Sequence, residues 1–217
     1  MNRYKKNKNL LIENFSYNEN MEHDACGVGM IACTDGKKSR KIVEYGVEAL
    51  KAIWHRGAVD ADGKSGDGAG MQIEIAPDFF REKIIATGHT PDERKRICVG
   101  MIFLPRTDYA DQEKCREIIE SVLLEENYSI YGWRQVPINS SVLGETAEQS
   151  RPEIAQVMFK KNENLATNDL ERNLFEARKK IEKLARENQL RNFYICSLSS
   201  RSIVYKGMFL AEMLAEF

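Results

Sequence analysis

Apolar positions along this chain follow the period of a strand in some segments and the period of a helix in others, which predicts a mixture of strands and helices. Short apolar or alternating runs predict strands at 26–33, 71–76, 97–104, 128–136, 154–159, 193–198 and 202–205. Segments with apolar residues three and four positions apart predict helices at 39–54, 78–87, 111–126 and 168–188. The remaining stretches are predicted turns and loops, and 208–217 begins like a further helix.

The order of these elements predicts an α+β fold. The last two strands follow each other directly, joined by the turn Ser199-Ser200-Arg201, and this argues against strict alternation of strand and helix. A chain of 217 residues suits one domain with a full core, or a part of a larger one. A layered α+β domain therefore fits better than a doubly wound parallel sheet.

Residues 1–25 differ in composition from the rest of the chain. They are rich in asparagine and lysine, and their apolar cluster Leu10-Leu11-Ile12 is too short for a secretory signal. Ala25-Cys26 is a poor lipoprotein cleavage site, because polar residues precede it where small or apolar ones are needed. We expect a flexible, removable leader over residues 1–25 and a folded domain over residues 26–217.

The charge balance and the lengths of the apolar runs argue against two classes of partner. Lys and Arg number 32 against 33 Asp and Glu, giving a formal net charge of -1, whereas a protein that binds nucleic acid usually carries a basic excess. No apolar run approaches the ~18 residues that cross a bilayer. We therefore expect neither nucleic acid nor a membrane among the partners.

The five cysteines fit neither a disulfide framework nor a zinc site, because their number is odd and no CxxC pair occurs. Cys33, Cys98 and Cys196 lie in apolar runs and are predicted to be buried small side chains, and Cys115 lies on a helix. The sequence therefore predicts no metal site, and it predicts a reduced, cytoplasmic protein.

Cys26 is the candidate nucleophile. It stands in the run Asp24-Ala25-Cys26-Gly27-Val28-Gly29, after a small residue and before a predicted strand. If the leader is removed, Cys26 carries both a thiol and a free α-amine titrating near pH ~7.7–8.0, which can serve as its base. Gly27 and Gly29 leave room for a ligand to approach the backbone. The alternative is one more cysteine buried in a strand.

Arg56, in His55-Arg56-Gly57, is the candidate site-orienting residue. Placed beside the new N-terminus, its cation favours the Cys26 thiolate. A Cys-His pair with His55 is less favoured, because the α-amine already supplies a base. The alternative is an ordinary helix end with cationic residues that complement the helix dipole.

The loop Ser65-Gly66-Asp67-Gly68-Ala69-Gly70 is glycine-rich but matches no phosphate-binding motif. It lacks the Lys-Ser or Lys-Thr of a P-loop and the spacing of a dinucleotide fingerprint. Asp60, Asp62 and Asp67 lack EF-hand spacing, so calcium is not predicted either. We expect a tight turn that packs closely under the strand of Cys26.

Taken together, these motifs resemble the opening of the glutamate synthase large subunits, which is a class II glutamine amidotransferase domain. The resemblance rests on the run around Cys26, on His55-Arg56-Gly57-Ala58 and on Gly66-Asp67-Gly68-Ala69-Gly70. The stretch from Ser199 to Met208 is similar to the same domain, so the resemblance covers essentially the whole chain after the leader.

The resemblance implies an N-terminal-nucleophile fold, an αββα four-layer sandwich, here incomplete. It also implies cleavage before Cys26, attack of the thiol on L-glutamine, a γ-glutamyl thioester, and release of ammonia and then glutamate. In the whole enzyme the ammonia reacts with 2-oxoglutarate at a distant site that uses FMN and an iron–sulfur cluster. The implied partners are the remaining domains of the large subunit and a small reductase subunit; no cofactor is expected in this chain.

The sequence departs from the family pattern at its end. The family's oxyanion Asn-Gly pair and the arginine that holds the glutamine α-carboxylate follow the stretch that ends at Met208, and neither Asn139-Ser140 nor Asn192-Phe193 carries the motif. Because losing one oxyanion donor costs ~10²–10³ in rate, we expect little glutaminase activity from residues 1–217 alone. Another class II amidotransferase, of the purine or hexosamine pathways, and a non-catalytic interaction module remain as alternatives.

Overall fold

The computed structural model describes residues 3–13, 27–53 and 58–217. The helices described there are α1 (Arg3–Glu13), α2 (Arg40–Ala52), α3 (Pro77–Ala86), α4 (Tyr109–Glu125), α5 (Glu145–Ser150) and α6 (Thr167–Glu187). The strands are β1 (Ala69–Glu74), β2 (Cys98–Leu104), β3 (Tyr128–Gln135), β4 (Glu153–Lys161), β5 (Tyr194–Ser199) and β6 (Ser202–Gly207). Two short 3₁₀ turns, Ser140–Val142 and Ala211–Met213, complete these elements.

The strands form two antiparallel sheets. One has four strands in the order β3-β4-β2-β5, and the other pairs β1 with β6. Because β5 and β6 are consecutive but belong to different sheets, the chain changes sheets at the turn between them. This arrangement confirms the predicted α+β class.

One face of the four-stranded sheet packs on helices α4 and α6. Side chains of alternate residues in the central strands, such as Ile102 in β2 and Phe159 in β4, point into this core. They meet the apolar stripes of the helices, including Ile119 of α4 and Leu174 of α6, all of which are buried. Tyr128 packs edge-on against Phe159, with ring centroids 5.3 Å apart.

The opposite face of the same sheet forms a second core with α3 and the β1-β6 pair. The intervening residues of the central strands, Val99, Met101 and Met158, point this way. They meet Phe80 of α3 and Ile203 of β6, both almost completely buried. One helix layer and two sheet layers are therefore stacked, and α2 additionally lies against β1.

Most of the elements predicted from periodicity are confirmed. The predicted helices correspond to α2, α3, α4 and α6, and the strands predicted after residue 70 correspond to β1 to β6. The Ser39 hydroxyl caps α2 by accepting a hydrogen bond from the Lys41 N–H, as its position predicts. Pro77 occupies the first turn of α3, where its missing N–H costs nothing.

The strand predicted at 26–33 is wrong for its described residues. Residues 27–33 are irregular and pair with none of the described strands, and the side chains of Val28 and Met30 are 92% and 91% exposed. Cys33 is half-buried rather than buried, and its thiol donates to Asp35 Oδ1 at 2.7 Å. An apolar run forms a stable strand only when a neighbouring strand satisfies its backbone, and the run alone does not supply one.

Two further segments differ from the expectation. Part of the leader predicted to be flexible forms α1, because lysine, leucine and glutamate favour helix even where the overall composition is polar. The helix predicted to begin in 208–217 is reduced to the 3₁₀ turn Ala211–Met213. No described helix is long and apolar enough to cross a membrane.

The two adjacent residues Leu174 and Phe175 of α6 provide a test of the helix-side core. Leu174 is completely buried, whereas Phe175 is 58% exposed. We expect Leu174→Ala to lower the free energy of unfolding by about 2–5 kcal/mol, because it leaves a cavity. Phe175→Ala should change it by no more than about 0.5 kcal/mol. Urea unfolding measures both, and equal losses would contradict the described packing.

Candidate functional site

Most of the principal candidate residues lie just outside the segments that the structure describes. Cys26 and Arg56, with His55, are outside the described residues, so their arrangement stays a prediction. Gly27 is described: it lies in the irregular segment 27–33 and is exposed. The described part of the candidate site is therefore Gly27 and the loop that follows residues 54–57.

That loop, residues 58–68, folds back on itself as a small hairpin. The Asp60 N–H donates to the Ser65 carbonyl at 2.9 Å, and Val59 forms a bridge with Gly66. At its open end the Ala58 N–H donates to Asp67 Oδ2 at 3.0 Å, and the Asp67 N–H donates to the Ala58 carbonyl at 3.3 Å. The predicted tight turn is confirmed, and it brings the start of the loop against Asp67.

The glycines of the loop allow close packing against β6 and the chain after it. A Cβ on Gly66 would lie 3.0 Å from both the Ala58 carbonyl oxygen and Leu210 Cδ2. Gly68 has φ +111°, which side chains rarely adopt, and a Cβ there would lie 3.1 Å from the Gly207 oxygen. The loop glycines thus pack against β6 and residues 209–210. We had expected them to pack under the strand of Cys26.

Asp62 and Ser65 join the loop to the start of α5. Asp62 Oδ2 accepts hydrogen bonds from the Ser65 hydroxyl at 2.6 Å and from the Thr146 N–H at 3.2 Å. Ser65 Oγ in turn accepts from the Ala147 N–H at 3.1 Å. Gly144, the N-cap residue just before α5, has no side chain to provide this cap, and a Cβ there would collide with Asp62.

The hydrogen bonds to Asp62 also determine its ionisation. The Ser65 hydroxyl contributes most, followed by the Lys64 and Ser65 N–H groups, and together they hold the pKa of the Asp62 carboxyl far below its usual range. The carboxylate is thus occupied with protein donors. Sequence reasoning missed this role, because Thr146 lies far along the chain and no local pattern links the two segments.

The turn from β5 to β6 is held by one carboxylate of α6. Glu171 accepts from the Ser199 hydroxyl at 2.8 Å, and from the Ser200 N–H at 2.8 Å and the Ser200 hydroxyl at 2.6 Å. Both serines are buried, so these bonds replace the hydrogen bonds to water that their hydroxyl groups lose on folding. This turn lies in the stretch from Ser199 to Met208, which carried part of the resemblance. In the structure it holds the chain where it passes from the four-stranded sheet to the β1-β6 sheet.

The three buried cysteines are unsuited to nucleophilic chemistry. Cys98 and Cys196 are buried, as predicted, and Cys115 of α4 is buried as well. Burial raises the pKa of the Cys115 thiol to about 11, and it raises the pKa values of Cys98 and Cys196 as well. Because the thiolate is the nucleophile, these neutral thiols are inert at physiological pH.

The described residues offer no metal centre, and the cavity described among them is mainly apolar. Within 3–13, 27–53 and 58–217, no group of three or more His, Cys, Asp or Glu is placed to hold a metal ion. A cavity of ≈ 220 Å³ lies between the four-stranded sheet and β6, with a lining that includes Met101, Phe103, Ile138, Tyr205 and Phe217. Its mainly apolar lining lacks a nucleophile with an adjacent base.

The chain belongs to the class II glutamine amidotransferases. The family model described as "Glutamine amidotransferases class-II" matches residues 26–217, which is most of the chain. The match begins at Cys26, the residue singled out as the candidate nucleophile.

The similar proteins are glutamate synthases. The chain is 52% identical over 202 residues to the glutamate synthase [NADPH] large chain of Azospirillum brasilense, covering 93% of this chain and 13% of that protein. It is 43% identical over 199 residues to the ferredoxin-dependent glutamate synthase of Pyropia yezoensis, with 90% and 13% coverage. A chloroplastic/mitochondrial ferredoxin-dependent enzyme of Arabidopsis thaliana is 40% identical, with 90% and 12% coverage. The chain thus spans about an eighth of the length of these relatives.

The Asp62 anchor predicts a pH-dependent loss of stability. We expect Asp62→Ala to lower the melting temperature at pH 7, because it removes the acceptor for the loop and for α5. A carboxyl whose folded pKa is depressed stabilises the fold above its unfolded pKa of about 3.9, and this contribution is lost as the pH falls below that value. The difference between wild type and variant should therefore shrink below pH ~4. A difference that stays constant from pH 7 to pH 3 would contradict this role.

Proposed function

We propose that this chain is the glutaminase segment of a glutamate synthase large subunit, with Cys26 as its N-terminal nucleophile. The observation that carries the proposal is the 52% identity to the Azospirillum large chain over 93% of this chain. The start of the family match at Cys26 supports removal of residues 1–25 as a propeptide.

In the proposed reaction the Cys26 thiol attacks the side-chain amide carbon of L-glutamine. The α-amine of Cys26 takes the thiol proton and passes it to the leaving nitrogen, so that ammonia departs and a γ-glutamyl thioester remains. A water molecule, deprotonated by the same amine, then attacks the thioester carbon, releasing glutamate and restoring the thiol. Cys98, Cys115 and Cys196 do not compete for this role, because burial raises the pKa values of their thiols.

Arg56 and Gly27 are proposed to orient this site. The Arg56 guanidinium favours the Cys26 thiolate and lowers the pKa of its thiol. Gly27 leaves the backbone beside the nucleophile open, and its exposure in the structure supports an accessible approach for glutamine.

The fold proposed for the domain is the αββα sandwich of N-terminal-nucleophile hydrolases. The stacked helix layer and two sheets, with α2 against β1, support it. In that sandwich residues 27–33 would pair with a neighbouring strand, which would cover the exposed side chains of Val28 and Met30.

The wider setting is proposed from the relatives. Ammonia released at Cys26 serves glutamate synthesis from 2-oxoglutarate elsewhere in the large subunit, with a small reductase subunit as a further partner. FMN and an iron–sulfur cluster are proposed to belong to that other part, as the similarity to glutamate synthases implies. The free thiols of the described chain support a cytoplasmic location.

Cys26→Ala tests the proposed chemistry. The experiment uses the protein expressed from the complete open reading frame that contains this sequence, and intact-mass spectrometry should show Cys26 as its first residue. Wild type should hydrolyse glutamine and be labelled once by a glutamine-analogue electrophile. Cys26→Ala should abolish both, because the attacking thiol is gone.

Cys33→Ala is the matched control. Cys33 is the most accessible of the other described cysteines, and its removal should leave labelling and turnover unchanged. A retained leader together with an unlabelled wild-type protein would contradict the proposal and favour a non-catalytic interaction module. Glutaminase activity without glutamate synthase activity in the complete protein would favour another class II amidotransferase.

A further inference from the structure

We propose that side chains of β5 form a clamp that holds β6 at the junction of the two sheets, in place of a backbone ladder. Strands β5 and β6 are consecutive and joined by a short turn, a connection that usually produces a hairpin. In the part of the chain that the structure describes, β5 instead pairs with β2, and β6 pairs with β1. The polar backbone groups along the outer edge of β6 therefore need other partners.

A β-bulge in β5 brings two consecutive side chains to β6. In the ladder between β2 and β5, Met101 pairs with Ser197. The next residue of β2, Ile102, pairs with Ile195, so Cys196 is an extra residue in β5. In a regular strand Cys196 and Ser197 would point to opposite faces, whereas here both side chains reach the same residue of β6.

That residue is Val204, and the two side chains bind both polar groups of its backbone. Ser197 Oγ accepts a hydrogen bond from the Val204 N–H at 3.2 Å, and Cys196 Sγ donates to the Val204 carbonyl at 3.5 Å. The Val204 backbone is thus held from the side of β5, without a ladder between the two strands.

The register of the β1-β6 ladder shows that these side chains occupy the place of a neighbouring strand. The Ile75 N–H donates to the Arg201 carbonyl at 3.0 Å, just beyond the ladder in which Val204 lies opposite Gln72. Residues of an antiparallel strand alternate between facing their partner strand and facing away from it. Counted from Arg201, Val204 faces away from β1, so its N–H and carbonyl lie on the outer edge of β6.

Contacts of the same kind continue along β6 in both directions. Toward the turn, Ser199 Oγ accepts from the Ser202 N–H at 3.2 Å. Toward the end of the strand, Lys206 Nζ donates to the Tyr194 hydroxyl at 2.9 Å. Ser197 and Ser199 are only 7% and 8% exposed, so water does not readily replace the bonds that they make. The clamp therefore acts on β6 at several points along its length.

The clamp also determines the surface on which the loop 58–68 packs. Gly207 ends β6, and a Cβ on Gly68 of the loop would lie 3.1 Å from the Gly207 oxygen. Movement of β6 away from β5 would therefore move this surface. Because the β1-β6 ladder does not use the clamp bonds, we expect the clamp to open locally while β1 and β6 stay paired. The inference does not depend on the chemistry proposed for Cys26.

Hydrogen exchange of single backbone amides tests the clamp in the protein expressed from the complete open reading frame. Mass spectrometry with electron-transfer fragmentation separates Val204 from its neighbours Ile203 and Tyr205, which turn their N–H groups toward β1. Ser197→Ala removes the acceptor of the Val204 N–H, whereas Ser197→Thr retains a hydroxyl. Ser141→Ala is the matched control, because it removes an exposed serine hydroxyl that bonds only within its own turn.

We expect Ser197→Ala to raise the exchange rate of the Val204 amide by about 3–10-fold relative to the Ile203 and Tyr205 amides, the factor that one net hydrogen bond provides. Ser197→Thr should restore the wild-type rate, and Ser141→Ala should leave the rates unchanged. A merely general loss of stability would accelerate all these amides by the same factor. An equal rise at Val204, Ile203 and Tyr205, or an unchanged rate at Val204, would therefore overturn the inference.

Melting temperatures of the variants are measured first. Should Ser197→Ala be unfolded at the assay temperature, Ser197→Cys takes its place, because a thiol fills the same position but accepts hydrogen bonds weakly. The expected direction and the contradicting results are then the same.

Discussion

Burial on both faces of the four-stranded sheet is the constraint on which the rest of the structure depends. Its central strands β2 and β4 send alternate side chains into two separate cores, one under α4 and α6 and one under the β1-β6 pair. Even Gly100 follows from this, because a Cβ there would lie 2.7 Å from Val157 Cγ1 and 2.9 Å from Leu198 Cδ1. The two cores fix the positions of β6 and of the chain after it, against which the loop 58–68 then packs.

The loop shows how ordinary backbone hydrogen bonding builds the surroundings of a candidate site. Three of its aspartates resemble a ligand cluster in the sequence, yet each of them accepts from backbone N–H groups. Asp62 holds the loop to α5 and Asp67 holds Ala58, so the acidic residues serve as acceptors for the protein's own donors. A local excess of carboxylates is therefore not evidence for a cation.

Much of the fold was predictable because its elements carry strong local periodicity. The apolar stripe of α6 and the apolar–polar alternation of the strands were good predictors. The side chains that form these patterns are the ones that the structure buries. The failure at 27–33 has the opposite cause: a strand also needs a neighbour, and an apolar run does not reveal whether a neighbour is present. The contacts of Asp62 with α5 were equally beyond prediction, since they join segments far apart in sequence.

Of the candidate site, the motifs and the family were recognisable from the sequence, while the arrangement of Cys26 and Arg56 stays a prediction.

Glu171 links α6 to the turn between β5 and β6, and thus the helix layer to the second sheet. Its single carboxylate accepts three hydrogen bonds at the turn where the chain leaves the first sheet for the second. Fraying of α6 at this point would expose two buried hydroxyl groups and release the start of β6. The helix layer and the second sheet are consequently expected to open as one cooperative unit, although they lie on opposite faces of the sheet between them.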